Sequence, residues 1–245
     1  VSLSLGKHEL KFTIAPMDDM LEIHGGKIKN PFETIGKSPL IYDGDITPEG
    51  MAAAIHIPAG DMLSVFATLG GFWFDEVKTS VDSFLVAGQA GVNVKLDNIK
   101  IKIGGGYHEW TLTDILMDEF FLEVGTKLGG LPVKVYGSYV MNGDKSEDNT
   151  GMIAGAKVGK AGKQGTWQAS ADYRTLEAEA GSMGDSDFAG GNTDSDGVVG
   201  AVAYAPWDNF TVGATYIASR YNLSVDDVDP LPYNRLQLDL KMKFK

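Results

Sequence analysis

The stretch RLQLDLKMKFK, residues 235–245, alternates strictly between two kinds of side chain. The residues of one parity are apolar: Leu236, Leu238, Leu240, Met242 and Phe244. Those of the other parity are charged or polar, and a period of two is typical of a β-strand with two unlike faces. The fold depends on what the apolar face touches, which is either the dry core of a soluble protein or lipid.

The composition narrows the class of protein without choosing between those two surroundings. The 245 residues include no cysteine, which excludes a disulfide framework and thiolate metal sites. The formal net charge of −12 argues against a nucleic-acid partner, which requires a basic surface. No stretch has the length of an apolar transmembrane helix, but alternating strands cross membranes without raising the mean hydropathy much. We expect residues 1–245 to form one domain.

The same alternation recurs along the chain in about thirteen segments, most of them about nine to fourteen residues long. Their boundaries are 2–14, 20–28, 50–57, 62–74, 84–96, 99–110, 120–128, 131–141, 151–159, 166–176, 198–205, 210–219 and 233–244. Short turns rich in Asp, Asn, Gly and Pro alternate with long polar loops throughout the series. This order predicts an up-and-down meander with all its short turns at one end, as in outer-membrane barrels.

Three features favour a transmembrane barrel over the alternative, a soluble β-sandwich that binds a ligand. The polar faces of the strands carry small residues beside charged ones, which suits a wall around a water-filled lumen. A closed barrel also removes the exposed sheet edges that a long meander would have. Aromatic residues also gather near strand ends, as an interfacial girdle requires. The predicted girdle consists of Tyr107, Trp110, Tyr139, Trp167, Tyr173, Trp207, Phe210, Tyr216 and Phe244.

The predicted fold class is therefore all-β, an antiparallel up-and-down transmembrane barrel of about 14 strands, within a range of about 12 to 16. Bacterial barrels usually have an even strand number and place both termini on the periplasmic side. The segment 2–14 is followed by a short turn, so it descends toward that side. We therefore expect at least one ascending strand ahead of Val1.

Four stretches carry a family resemblance. GGKIKNPF (25–32), YDGDITPEGMA (42–52), GKQGTWQASADYRTLEAEA (162–180) and DSDFAGG (185–191) resemble the putative porin family of Gram-negative outer-membrane β-barrel proteins. The resemblance extends from about residue 20 to the C-terminus. It implies a barrel in the bacterial outer membrane, surrounded by lipid and lipopolysaccharide, that passes small hydrophilic solutes and assembles as a homotrimer. It implies neither an enzyme nor a cofactor.

Charged residues of the polar parity are predicted to line a water-filled lumen. They are Lys100, Lys102, Lys134, Lys157, Asp172, Arg174, Arg235, Asp239, Lys241 and Lys243. Charges of one sign inside a pore set its ion preference, and this set is rich in lysine, so we expect a bias toward anions. The other interpretation is that these side chains are solvated strand faces or charge pairs that brace the wall.

The connection 29–47 is long and contains two X-Pro dipeptides and two aspartates. In porins one such loop often folds inward and narrows the pore. Phe32, Tyr42, Asp43 and Asp45 are the predicted constriction residues. An ordinary surface loop is the alternative.

No motif in the chain indicates catalysis. The four histidines have no zinc-ligand spacing, and neither a GxSxG elbow nor a complete P-loop is present. The acidic stretches 144–148, 185–187 and 194–197 offer oxygen ligands for calcium but not the EF-hand spacing, so extracellular loops with calcium remain an alternative to solvated ones. The alternative to a channel is a barrel that serves as a scaffold or sheath for a partner protein.

Overall fold

The structure, a computed structural model, describes residues 2–5, 9–14, 20–36, 40–43, 46–75, 83–111, 115–181, 187–225 and 228–243. The strands are β1 Ser2–Leu5, β2 Glu9–Ile14, β3 Leu21–Lys27, β4 Glu49–Ala59, β5 Leu63–Asp75, β6 Ser83–Leu96, β7 Ile99–Trp110, β8 Ile115–Leu128, β9 Leu131–Asn142, β10 Thr150–Gly159, β11 Trp167–Leu176, β12 Ser195–Trp207, β13 Phe210–Tyr221 and β14 Leu231–Met242. A single 3₁₀ turn, Ala189–Gly191, is the only helical element in these ranges. No helix of the described part of the chain is long and apolar enough to cross a membrane.

The strands form one 14-stranded sheet in which each strand pairs with its neighbours in sequence. Every pairing is antiparallel, from β1 with β2 to β13 with β14. Among the described residues, no ladder joins β14 back to β1. This is the strand order of an up-and-down barrel, so the predicted fold class is confirmed and the observed strand number agrees with it.

The N-terminal segment differs from the expected single strand over 2–14. Two strands, Ser2–Leu5 and Glu9–Ile14, occupy it and pair as a hairpin. The apolar parity changes between them, from Leu3 and Leu5 to Leu10 and Phe12, and one continuous strand cannot present both sets on one face. The structure therefore has one strand more than the number of segments predicted from the sequence, and β1 is that additional strand.

The two ends of the sheet differ in the length of their connections. One end has tight turns, including residues 97–98, 129–130 and 208–209, while the other has the connections 28–48, 143–149, 177–194 and 222–230. In the tight turns Asp97, Asn209 and Gly129 have φ values of 49°, 64° and 57°. Two-residue hairpins require such positive φ values, which explains the Asp, Asn and Gly at these positions.

The C-terminal strand answers the question that its sequence raises. Leu236, Leu238 and Leu240 are 66%, 73% and 74% exposed, so they are not packed in a protein core. The same holds for large apolar side chains on one face of every strand from β4 to β14. We call this the outer face of the sheet, and the opposite face, which carries Arg235 and Asp239, the inner face.

The buried side chains lie on the inner face, and glycines give them room. Phe66, Gly91, Gly104 and Phe121 are directly opposite one another on β5 to β8. The two rings extend over the two glycines and stack on each other with centroids 6.4 Å apart. A Cβ atom on Gly91 would lie 2.5 Å from Cζ of Phe66 and 2.4 Å from the carbonyl oxygen of Ile103.

Gly91→Ala is therefore expected to destabilise the protein by about 1 to 3 kcal/mol, the usual cost of overpacking a filled site. Gly200→Ala is the matched control, because nothing lies within 4 Å of a Cβ at that strand glycine. Urea unfolding in detergent, followed by tryptophan fluorescence, measures both variants. Equal unfolding midpoints for the two variants would show that the phenylalanine pair does not need the glycine.

Candidate functional site

The connection between β3 and β4 packs on the inner face of the sheet. Its residues 28–48 are called the inner loop below, and its described apolar side chains are nearly all buried: Ile28, Phe32, Ile35, Leu40, Ile41 and Tyr42. They join Phe72, Trp110 and Met117 of the wall in one buried cluster. Burial of these apolar side chains away from water lowers the free energy of the folded protein, and the aromatic side chains of the inner face provide the surface against which they pack.

Aromatic stacking holds the middle of the inner loop. The rings of Phe32 and Tyr42 are parallel within 9°, with centroids 5.8 Å apart. Phe32 meets Phe72 and His108 edge-on, and Tyr42 contacts Trp110 at 6.1 Å. Such pairs contribute about 0.5 to 1.5 kcal/mol each beyond the area they bury. The loop is thus fixed to strands β5 and β7.

A buried hydrogen bond joins the inner loop to β7. The hydroxyl of Tyr42 lies 2.6 Å from Nδ1 of His108, whose side chain is fully buried. Burial first, and the nearby carboxylate of Glu119 second, raise the pKa of Tyr42 well above its ordinary value. The phenol of Tyr42 therefore keeps its proton, and the other ring nitrogen of His108, Nε2, lies 3.8 Å from Oε2 of Glu119.

Polar contacts from three strands hold the backbone of the inner loop at Glu33. The Glu33 amide donates to Oε1 of Gln89 at 2.7 Å, and Nε2 of Gln89 donates to the Glu33 carbonyl at 3.1 Å and to Oε2 of Glu119 at 3.0 Å. Nζ of Lys102 donates to Oε2 of Glu33 at 2.5 Å. The backbone amide and carbonyl of Glu33 both have partners on the wall, so this part of the loop can lie against the wall at a small desolvation cost.

The inner loop also reaches the far wall at β9. Gly36 has a φ of 62° and lies against the ring of Tyr136, where a Cβ atom would be 2.2 Å from Cε2. Tyr136 in turn donates to Oδ2 of Asp172 at 3.1 Å, across Gly155 on the strand between them. Gly36 therefore has both the left-handed conformation and the close approach that only glycine permits.

The structure places two of the four predicted constriction residues, Phe32 and Tyr42, in the buried cluster on the inner face. The carbonyl oxygen of Asp43 accepts a hydrogen bond from the amide of Ile46, and Asp45 lies outside the described residues. The inner loop is therefore not an ordinary surface loop. Whether it limits the flow of solute stays a prediction.

The predicted lining residues lie on the inner face, and several are paired. Lys134 donates to Glu123 at 2.6 Å and Arg174 to Asp172 at 2.6 Å. The remaining lining residues are Lys100, Lys102, Lys157, Arg235, Asp239 and Lys241, with Lys243 just beyond β14. The alternative interpretation as charge pairs that brace the wall therefore describes part of the set, and contact with water stays a prediction.

A second connection on the inner face escaped the sequence analysis. Residues 177–194, between β11 and β12, place Phe188 and Ala189 against Val199 and Ile217. The guanidinium of Arg174 lies 5.4 Å above the Phe188 ring, and Arg235 forms an ion pair with Asp187. The only sequence signal was one aromatic residue inside a long acidic and glycine-rich loop.

Most of the predicted girdle lies on the outer face, with one error. Phe210 is half-buried, and six members are exposed: Tyr107, Tyr139, Trp167, Tyr173, Trp207 and Tyr216. The assignment of Trp110 to the girdle is wrong, because its side chain is 2% exposed and packs on Tyr42. It shares the parity of His108, which alternation sends to the inner face. Phe244 lies outside the described residues, and the exposed Trp73, Phe120 and Tyr204 were missed.

Among the described residues, no three His, Cys, Asp or Glu side chains come together as metal ligands. The acidic stretch 185–187 is described only at Asp187. Calcium in the loops is therefore untested and stays an expectation.

Comparison with known proteins agrees with the architecture. The family model described as "Putative porin" matches residues 2–119 and 133–244. No curated protein matches the chain. Among solved structures, the outer membrane channel DcaP of Acinetobacter baumannii matches with a TM-score of 0.50 and 12% sequence identity, over 98% of this chain and 82% of that one. At this identity the likeness concerns the fold. Since the family model covers nearly the whole chain, the resemblance found in the sequence is confirmed, and the chain belongs to the putative porin family.

Proposed function

We propose that the chain forms a water-filled channel across the bacterial outer membrane, through which small hydrophilic solutes and ions diffuse passively. The observation that carries the proposal is the separation of the two faces along every strand from β4 to β14. On β14, the three leucines of the outer face are at least 66% exposed, while Arg235, Gln237 and Asp239 alternate with them on the inner face. An apolar band outside and a polar wall inside are the features of a porin.

The outer face also has polar residues at the long-loop end, where a membrane protein meets the lipid headgroups, beside the apolar band along its middle. At the long-loop end of β11 to β13, Arg220 donates to Asp196 at 2.6 Å and the Tyr173 hydroxyl donates to the same carboxylate at 3.2 Å. A charged pair beside a tyrosine belongs at the level of lipid headgroups. Lipopolysaccharide is therefore the proposed neighbour at this end.

The channel is proposed to be narrowed from two sides. The inner loop covers the wall at β5 to β9, and residues 187–194 cover it at β11 to β14. The charged side chains between them would tune the passage of ions. A homotrimer, as the family resemblance implies, completes the proposal, and light scattering of the detergent complex measures it.

Planar-bilayer recording tests the proposed function. The purified protein, shown to be folded by heat-modifiable migration on a detergent gel, is expected to give discrete conductance steps in potassium chloride. A folded protein that inserts without conducting would contradict the channel.

A silent barrel would favour the scaffold or sheath alternative, in which a partner protein uses the barrel as a frame. The two loops on the inner face are the observation that keeps this alternative open. The soluble sandwich has no such support, because its apolar face would have to be packed rather than exposed.

A further inference from the structure

The strand register brings four lysines into one row on the inner face. Lys95 is directly opposite Lys100, Lys100 is opposite Gly125, Gly125 is opposite Lys134, and Lys134 is opposite Lys157. We call these five residues the lysine row, and it lies at the short-turn end of β6 to β10. Like charges directly opposite each other destabilise a sheet, and this row contains two such pairs around a glycine.

The carboxylates near the lysine row lie at Lys134 and at Lys102, and none lies at Lys95 or Lys100 among the described residues. Glu123 accepts from Lys134 at 2.6 Å, and Glu33 accepts from Lys102 one layer above the row. Among the described residues, no carboxylate lies within ion-pair distance of Lys95 or Lys100. Lys95 and Lys100 therefore give this part of the inner face a local excess of positive charge in a chain whose formal net charge is −12.

The lysine row borders a hollow of suitable size. A cavity of about 510 Å³ has four lysines in its lining, Lys95, Lys100, Lys102 and Lys134, against two carboxylates, Asp61 and Glu123, and it also contains Asn93 and Ser64. Nδ2 of Asn93 donates to Oγ of Ser64 at 3.3 Å, so an amide and a hydroxyl stand beside the ammonium groups. Ammonium, amide and hydroxyl donors around one cavity are the groups that bind oxyanions.

Gly125 leaves the middle of the row open. A Cβ atom there would meet nothing closer than the Lys134 Cγ at 3.6 Å, so the glycine is not required by packing. Neighbouring strands are about 4.8 Å apart, which separates the Cα atoms of Lys100 and Lys134 by roughly 10 Å. That gap accommodates an anion that both flexible side chains can reach.

We propose that the lysine row is a binding site for small polyvalent oxyanions that carry phosphate or carboxylate groups. The inference rests on the proposed function, because it places the site on the path of the proposed channel. Bound anions would offset the repulsion between the opposed lysines and would pause on their way through.

Gly125→Glu and Gly125→Gln test the site with one matched pair. Both side chains have the same size and fit the open space at Gly125, but only the glutamate puts a fixed carboxylate between Lys100 and Lys134. Wild-type channels in a planar bilayer are expected to show transient current blocks when pyrophosphate or citrate is added, and far weaker blocks with acetate. The half-blocking concentration should rise at least about tenfold in Gly125→Glu and change less than about threefold in Gly125→Gln.

The outcomes separate the site from the channel. A higher sensitivity to pyrophosphate than to citrate identifies the phosphate source, and the reverse identifies the carboxylate source. Equal block in both variants, or no block in a conducting wild type, overturns the site and leaves the channel standing. If the folded protein does not conduct, calorimetric titration of pyrophosphate in detergent decides: saturable heat that Gly125→Glu loses and Gly125→Gln keeps supports the site, and its absence from the wild type overturns it.

Discussion

Replacement of residues 31–46 by a short glycine–serine turn is expected to raise the single-channel conductance severalfold. The deleted segment contains Phe32 and Tyr42, which fill the inner face between β5 and β7. The strands that it joins are already paired at their ends, Lys27 opposite Glu49, so a tight turn can close the hairpin without it. The deletion removes the loop's side chains of the buried cluster, Phe32, Ile35, Leu40, Ile41 and Tyr42, from the proposed path and leaves the strand ladder intact.

A deletion of residues 223–229 with the same turn is the matched control. This connection joins β13 to β14 at the same end of the sheet, but its Val225 and Val228 are exposed rather than buried against the wall. We expect its conductance to match that of the wild type. Heat-modifiable migration confirms that both variants are folded. Equal conductance in the inner-loop deletion and the wild type would show that the loop does not limit the flow.

The strands could be predicted well from the sequence because each strand has an apolar outer face and a polar inner face, which makes its side chains alternate. The segment 99–110 agrees with β7 at both ends, and 131–141 differs from β9 by one residue. Where the alternation slips, the prediction fails: the change of parity between Leu5 and Leu10 marked a hairpin that was read as one strand. Trp110 was likewise placed on the outer face although it shares the parity of His108.

The site was harder to predict because its contacts join distant parts of the chain. Glu33 bonds to Gln89 across 56 positions, and Tyr42 bonds to His108 across 66. No local pattern encodes such pairs, and the inward fold of the loop was predicted only from its length and from the behaviour of porin loops. The lysine row was missed as a unit, although Lys100, Lys134 and Lys157 were each predicted to line the lumen. Lys95 and Lys100 become neighbours only once the register is known, and that register follows from the two-residue turn between them.

Leu238→Arg is expected to destabilise the folded protein in lipid by about 2 to 4 kcal/mol, the cost of a cation at the middle of the lipid-facing wall. Leu238 lies midway along β14 and is 73% exposed on the outer face. If that face met water, an arginine there would be solvated and the substitution would be neutral or mildly favourable. The sign and size of the change in unfolding free energy therefore report which medium covers the outer face. Reversible guanidinium unfolding in phospholipid vesicles, followed by tryptophan fluorescence, measures it.

Gln237→Arg is the control on the opposite face of the same strand. Gln237 points to the inner face and donates a hydrogen bond to Oδ1 of its neighbour Asp239 at 3.3 Å. An arginine at this position gains a carboxylate partner and, in the proposed channel, stays in water, so the free energy of unfolding should change by less than about 0.5 kcal/mol. Two adjacent residues thus receive the same cation in the same strand, and only the surrounding medium differs. A similar cost at both positions would mean that the two faces do not separate lipid from water, and a higher cost at Gln237 would reverse the assignment of the faces.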